Sequence, residues 1–257
     1  SEPSVIPPDS QIIGEYPTAP YQLVGFSEGP GDPCDRVIFR TSLQYPGVPG
    51  AGKNRLYEWD RGVLRNVGVV PGPSGLENAG VVPGATQSPA TDPADQPLQA
   101  NRNVHNAVSR DGSRIVFTAL SKVGGDTGQQ AVFVRDHAGG TGTLAAGSKS
   151  VSDVALEFGV FAVGQEISGE GIPSGTLIEA VEEVDGRIRS LTLSQPAEVD
   201  AEAVTLDALR VLDASQSQTA TANNGASRYE TATPDGKYVF FTARYGLANN
   251  GSSGGVG

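Results

Sequence analysis

The chain has 257 residues, 34 of them glycine and 18 proline, and a formal net charge of −11. That length suits one large domain or two small ones, and the acidity excludes nucleic acid or an anionic membrane as partner, because like charges repel. A single cysteine, Cys34, excludes an internal disulfide framework, and the absence of an apolar run of about 18 residues excludes membrane insertion through a helix.

There is no methionine, so Ser1 is not a translation start. The chain reads as a processed product or an excised fragment whose signal peptide is gone, in an extracellular or cell-surface setting. Residues 1–20 carry Pro3, Pro7, Pro8, Pro17 and Pro20 and form an extended arm. An extended arm can pair with the edge of a neighbouring subunit. Strands are expected at Tyr21–Phe26 and Val37–Leu43. A loop over 45–53 follows, then a hairpin of Leu56–Trp59 and Val63–Val70 about Asp60-Arg61-Gly62. Pro71–Pro97 reads as one long loop, functional or poorly ordered.

The organising feature is a repeat. Ser109-Arg110-Asp111-Gly112-Ser113-Arg114-Ile115-Val116-Phe117-Thr118-Ala119 recurs as Thr233-Pro234-Asp235-Gly236-Lys237-Tyr238-Val239-Phe240-Phe241-Thr242-Ala243. Asp-Gly makes a tight turn, and the residues after it favour a pleated, half-buried strand. A weaker copy, Asp35–Ser42, has Pro33 and Cys34 in place of Asp-Gly. One such unit cannot bury its own apolar face, so recurrence implies stacked neighbours. The pattern resembles the blade signature of TolB-like and WD-related β-propellers, a family known from bacterial exoproteins. Leu56-Tyr57-Glu58-Trp59-Asp60 and Val132-Phe133-Val134-Arg135-Asp136 fit the strand that follows in such blades. The resemblance implies propeller-type blades over 21–147 and 208–257, too few to close a ring alone.

Residues 148–207 read as an inserted small β-sandwich or barrel module. Val154, Leu156, Phe158 and Val160 alternate with Asp153, Ala155, Glu157 and Gly159 as a half-buried strand. Asp185-Gly186 turns a hairpin between Leu177–Val184 and Ile188–Leu193. The run Gly164-Gln165-Glu166-Ile167-Ser168-Gly169-Glu170-Gly171-Ile172-Pro173-Ser174-Gly175-Thr176, with Leu191–Ala197, is similar to a module of phage tail and bacterial surface proteins. That likeness implies exterior display. Leu209–Leu212 resumes a strand, Ser215–Ser227 is polar, and 249–257 is a Gly/Ser-rich tail.

Candidate chemistry is thin. Gly47–Asn54 nearly fits a phosphate loop, but Asn54 stands where Ser or Thr is needed, and a strand pattern follows. Gly251-Ser252-Ser253-Gly254-Gly255 fits G-x-S-x-G without the flanking strand and helix of a nucleophile elbow. His105 reads as capping a blade strand, and His137 as solvated in a turn over His137–Gly140. Neither has a companion at metal spacing. Asp92, Asp95, Asp126, Glu166, Glu170, Glu179, Glu182 and Glu183 read as a solvated acidic face; none has the register of a calcium loop, which leaves only adventitious Ca2+. Trp59 reads as core. No catalytic, cofactor or metal residue is assigned. The expected function is non-enzymatic binding of protein or glycan at loop ends, or a structural role. The alternatives are an assembly subunit that self-associates through its arm and a glycan-acting hydrolase with paired carboxylates.

Overall fold

The computed structural model describes residues 21–28, 34–41, 45, 47–50, 55–84, 104–122, 127–216 and 227–243. The arm over 1–20, the stretch 85–97, Asp92, Asp95, Asp126 and the tail over 249–257 lie outside them. The described residues are all-β, with no helix. They form β1 (Tyr21–Phe26), β2 (Arg36–Thr41), β3 (Arg55–Asp60), β4 (Val63–Asn66), β5 (Val69–Gly72), β6 (Gly75–Asn78), β7 (Val81–Pro83), β8 (Arg114–Leu120), β9 (Gln130–Leu144), β10 (Ser150–Phe158), β11 (Glu166–Ser168), β12 (Ile178–Val184), β13 (Arg187–Leu193), β14 (Ala201–Asp213), β15 (Arg228–Ala232) and β16 (Val239–Thr242). Two compact units divide the chain. One comprises Ser1–Val134 with Val211–Gly257, the other Arg135–Arg210, and the boundaries fall inside β9 and β14.

In the first unit, β1-β2-β3-β4 form an antiparallel sheet, β5 pairs β6, β8 pairs β7 and β9, and β15 pairs β16. Asp60 pairs with Val63 across a two-residue turn in which Arg61 and Gly62 both have positive φ, 44° and 93°. This is the turn that matches strand twist. The stretch expected to be a loop from Pro71 onward instead continues as β5, β6 and β7. Pro71 pairs with Leu76 in a two-stranded ribbon, and Pro83 lies in β7, which among the described strands pairs with β8 alone. Among the described strands both prolines therefore occupy edges, where a missing N–H is tolerated.

The repeat is visible atom by atom. In the second copy Gly112 N–H donates to Ser109 O at 2.8 Å, Ser109 N–H to Arg114 O at 2.9 Å, and Arg114 N–H to Ser109 Oγ at 2.8 Å. The third copy has Gly236 to Thr233 O at 2.8 Å, Thr233 to Tyr238 O at 2.9 Å, and Tyr238 to Thr233 Oγ1 at 3.0 Å. The first copy reproduces them with Cys34, Ser27 and Arg36, at 2.9, 2.9 and 3.1 Å. Cys34, Gly112 and Gly236 share φ of 71°, 73° and 67°, the left-handed region glycine adopts without steric cost. Asp111 and Asp235 each accept from the hydroxyl two residues earlier and the N–H two residues later. Beyond the turn, Phe39 stacks on Tyr57 and Phe117 on Phe133, both with centroids 5.8 Å apart and at 23° and 21°. These pairs occupy equivalent places in β2–β3 and β8–β9.

The turns also stack on one another. Glu28 N–H donates to Arg110 O, and Arg110 N–H to Pro234 O at 2.7 Å. A Cβ on Gly112 would lie 3.2 Å from Arg36 Cβ, and one on Gly236 would lie 3.0 Å from Arg114 Cβ. Each turn thus sits on the residue that closes the preceding turn. Ile38, Leu56, Ile115, Phe117, Val132, Phe133 and Tyr229 form the core of this unit.

In the second unit the strand order is β11-β14-β9-β10-β13-β12. Its own core contains Leu144, Val151, Phe161, Ile167, Ile178, Leu191, Leu193 and Leu206. The unit extends beyond the expected 148–207, because β9 runs on through the Gly-rich segment that had read as a turn. A Cβ on Gly140 would lie 2.2 Å from Ala155 O, and one on Gly139 would strike the Phe158 ring at 2.3 Å. These glycines let β9 and β10 approach. The regular alternation expected in β10 fails: register shifts occur between Ser152 and Ala155 and between Leu156 and Phe158, and Asp153 has φ 52°. A bulge changes which side chains face inward, so Leu156 is 44 % exposed, and Val160, 52 % exposed, lies beyond the end of the strand.

The glycine-rich run of this unit is structural. Gln165, fully buried, accepts from Ala162 N–H at 2.8 Å and donates to Val160 O at 3.2 Å. Thr176, also fully buried, donates to Pro173 O at 2.5 Å. Ile167 N–H donates to Thr176 O and Ile178 N–H to Gln165 O, closing the loop between them.

Candidate functional site

The second unit carries an open groove of about 980 Å3. β10 contributes Ser150, Ser152, Asp153 and Val154. β12 contributes Glu182 and Val184, and the turn contributes Asp185. β13 contributes Arg187, Ile188, Arg189 and Ser190. Asp185 and Gly186 both have positive φ, so the turn joins β12 and β13 with Val184 opposite Arg187. This places the two arginines beside the carboxylates of the groove.

Two hydroxyls are oriented by carboxylates: Ser152 donates to Asp153 Oδ2 at 3.1 Å, and Ser190 to Glu182 Oε2 at 2.7 Å. The remaining carboxylate lone pairs accept donors, while the guanidinium forks donate to planar or hydroxylated acceptors. No aromatic ring lines the groove. The arrangement suits an extended, polar ligand that stays partly hydrated.

Of the acidic residues singled out in the sequence, only Glu182 lines this groove. Glu166 is exposed on β11, Glu170 is exposed in the following loop, and Glu179 pairs with Lys149 at 3.8 Å. Glu183 is exposed on β12. Ser150, Ser152, Asp153, Arg187 and Arg189 carried no motif. Their only signal was polarity on strands that flank a turn.

His137 is not solvated. It lies within β9 at 2 % exposure, because that strand continues where a turn was expected. Its Nε2 is 3.0 Å from Asp207 Oδ2, and the Phe158 ring meets it edge-on at 4.9 Å. Next to it Arg210 donates to Asp136 Oδ2 at 2.8 Å and to Val163 O at 2.8 Å. These contacts clamp β9 to β14 and leave the ring no room for a substrate. His105, in the first unit, places Nδ1 3.1 Å from Thr231 Oγ1, and its carbonyl accepts from Tyr229 OH at 2.6 Å. Burial pushes the Tyr229 phenol well above its ordinary pKa, so it remains a donor.

Gly47–Gly50 form a turn, and β3 follows rather than a helix, so no helix N-terminus faces a phosphate. Gly50 O instead accepts from Asn66 Nδ2 at 3.1 Å. Trp59 is half-buried on β3, opposite Val37 and Leu64. Beside it Asp60 receives Arg36 Nε at 3.5 Å, Arg61 Nε at 3.2 Å and Arg65 Nη1 at 3.2 Å. Burial works against the charged carboxylate, but the arginines outweigh it and hold the Asp60 pKa below the usual range. Among the described residues no three His, Cys, Asp or Glu side chains form a metal-sized group.

Comparison of the chain with protein-family models, with curated proteins and with solved structures gives no match.

Proposed function

We propose that this chain is a non-enzymatic binding protein of the cell exterior, with the groove of its second unit as the ligand site and propeller-type repeats as its first unit. The observation that carries the reading is the groove: about 980 Å3, open, and lined by three serines, three carboxylates and two arginines. Ligand pockets of this volume are common, and polar groups converging in one concavity fix orientation. The composition favours a hydroxylated ligand, a glycan, over an apolar one. The excess of acidic residues keeps such a protein soluble and away from anionic surfaces. The likeness of 164–176 and 191–197 to surface-display modules supports the same setting.

The test is a glycan array probed with the full chain, with hydrolysis monitored on every glycan retained. Binding should be lost in Arg187→Ala and Arg189→Ala while the melting temperature is kept. Retention of binding in both variants would move the site elsewhere. Cleavage that depends on Asp153 or Glu182 would replace the non-enzymatic reading with a hydrolase.

A further inference from the structure

In each repeat three alternate residues after the turn share one face of the strand. They are Arg36, Ile38 and Arg40; then Arg114, Val116 and Thr118; then Tyr238, Phe240 and Thr242. Arg36, Ile38 and Arg40 are 4 %, 0 % and 0 % exposed, and Val116 and Thr118 are 1 % and 0 %. Tyr238 and Phe240 are 58 % and 54 % exposed, and Thr242 is exposed with them. The difference follows the stacking: the turn at Gly112 sits on Arg36, and the turn at Gly236 sits on Arg114.

We propose that Tyr238, Phe240 and Thr242 form a docking surface whose partner is a further turn-and-strand repeat with glycine at its left-handed position. The contact already occurs twice within the first unit, with the same atoms in the same relation, and this face continues that series. Exposed aromatics two residues apart on a strand project from one side of the sheet and gain most from being covered. Arg114 Nη1 donates to Gly236 O at 3.2 Å across the existing contact. Tyr238 occupies the position of Arg114, and its phenol O–H supplies the equivalent donor to the partner's glycine carbonyl. Pro234 stands where Arg110 donates its N–H, so the main-chain bond between the existing turns does not recur here, and the docking rests on the side chains of Tyr238, Phe240 and Thr242.

A second copy of this chain does not fit. The one turn in it that sits on no other described turn is that of the first repeat, where Cys34 holds the glycine position at φ 71°. Glycine's place in this contact is tight, since a Cβ on Gly236 would lie 3.0 Å from Arg114 Cβ. That turn also spans Ser27 to Cys34 where the second spans Ser109 to Gly112, so it is longer as well as bulkier.

The experiment tethers a probe repeat, a copy of residues 104–122, to the C-terminus of the full chain through a flexible Gly/Ser linker. The linker holds the probe at an effective concentration in the millimolar range. Amide exchange over Val239–Thr242 should slow by about tenfold or more, and the melting temperature should rise. Replacing the glycine of the probe turn by valine, or Tyr238 by aspartate in the host, should abolish both effects. Unchanged exchange, or protection that survives the valine probe, would overturn the assignment. So would an untethered chain that sediments as a dimer and is split by Tyr238→Asp, because the occupant would then be a second copy.

Discussion

The left-handed position of the repeated turn ties residue chemistry to the stacking of the repeats. A methyl group on Gly112 must adopt φ 73° and approach Arg36 Cβ at 3.2 Å. Gly112→Ala should therefore destabilise by roughly 1–2 kcal/mol from backbone conformation alone, with more from the contact, as read by urea midpoint. No loss would mean that the stacked turns separate freely. Asp111→Ala removes the acceptor of Ser113 N–H and of two hydroxyls and should cost roughly 1–3 kcal/mol. Asp235 accepts from one hydroxyl, that of Thr233, and from the Lys237 N–H, and these hydrogen bonds lower its pKa. It is exposed, so Asp235→Ala should cost less. Asp60 gives a pH dependence. Its folded pKa lies below the unfolded value, so its stabilisation is present above about pH 4 and is lost as pH falls through the folded pKa. Asp60→Asn should cost about 3 kcal/mol at pH 7, because Arg36 is left buried without its nearest carboxylate. The difference from the unsubstituted chain should narrow below pH 4. A gap that stays constant from pH 7 to pH 3 would contradict this account.

At the scale of elements, local turn chemistry was legible and tertiary approach was not. Asp185-Gly186 and Arg61-Gly62 lie in two-residue turns because their backbone demands are set within a few residues. Gly139-Gly140 reads locally as a turn for the converse reason. Its role is set by Ala155 and Phe158, which arrive from β10, and nothing local distinguishes a packing glycine from a turning one. The same tertiary approach buries His137, whose local sequence reads as a solvated turn. Pro71 and Pro83 read as loop residues because a proline on an edge strand has the same local signature as one in a loop. The groove was illegible because its serines, carboxylates and arginines come from β10, β12 and β13, and none belongs to a motif. Gly140→Ala tests the reading of β9. A Cβ 2.2 Å from a backbone oxygen has no soft neighbour to displace. The substitution should cost roughly 3 kcal/mol or more and open the amides of 139–143 to exchange, whereas Gly147→Ala, with open space around it, should cost only the conformational term.

At the scale of the whole molecule, the two units have separate cores. Phe117, Phe133, Ile38 and Tyr229 belong to one buried cluster and Leu191, Leu193, Ile178 and Phe161 to the other. No residue is shared between the clusters. A hydrophobic cluster defines a cooperative element, since removing one member leaves a cavity that its own neighbours bear. Leu191→Ala should therefore destabilise by roughly 2–5 kcal/mol, with the loss confined to Arg135–Arg210. Phe117→Ala should destabilise the first unit by a similar amount, roughly 3–5 kcal/mol. Hydrogen exchange separates the two, because sub-global opening reports each cooperative unit by its own amides. The natural cut for excision lies at Val134 and Val211 rather than at 148 and 207, since the narrower cut removes β10 and β13 but keeps Arg135–Leu144, the segment of β9 that β10 covers. Arg135–Arg210 expressed alone should melt cooperatively, and a chain joining Val134 to Val211 through a short Gly/Ser bridge should keep its own transition. Loop closure opposes neither strongly, at about 0.6 kcal/mol per doubling of length. If Leu191→Ala exposes amides of β2, β3 and β8 as much as those of β12 and β13, the two clusters unfold as one and the division fails.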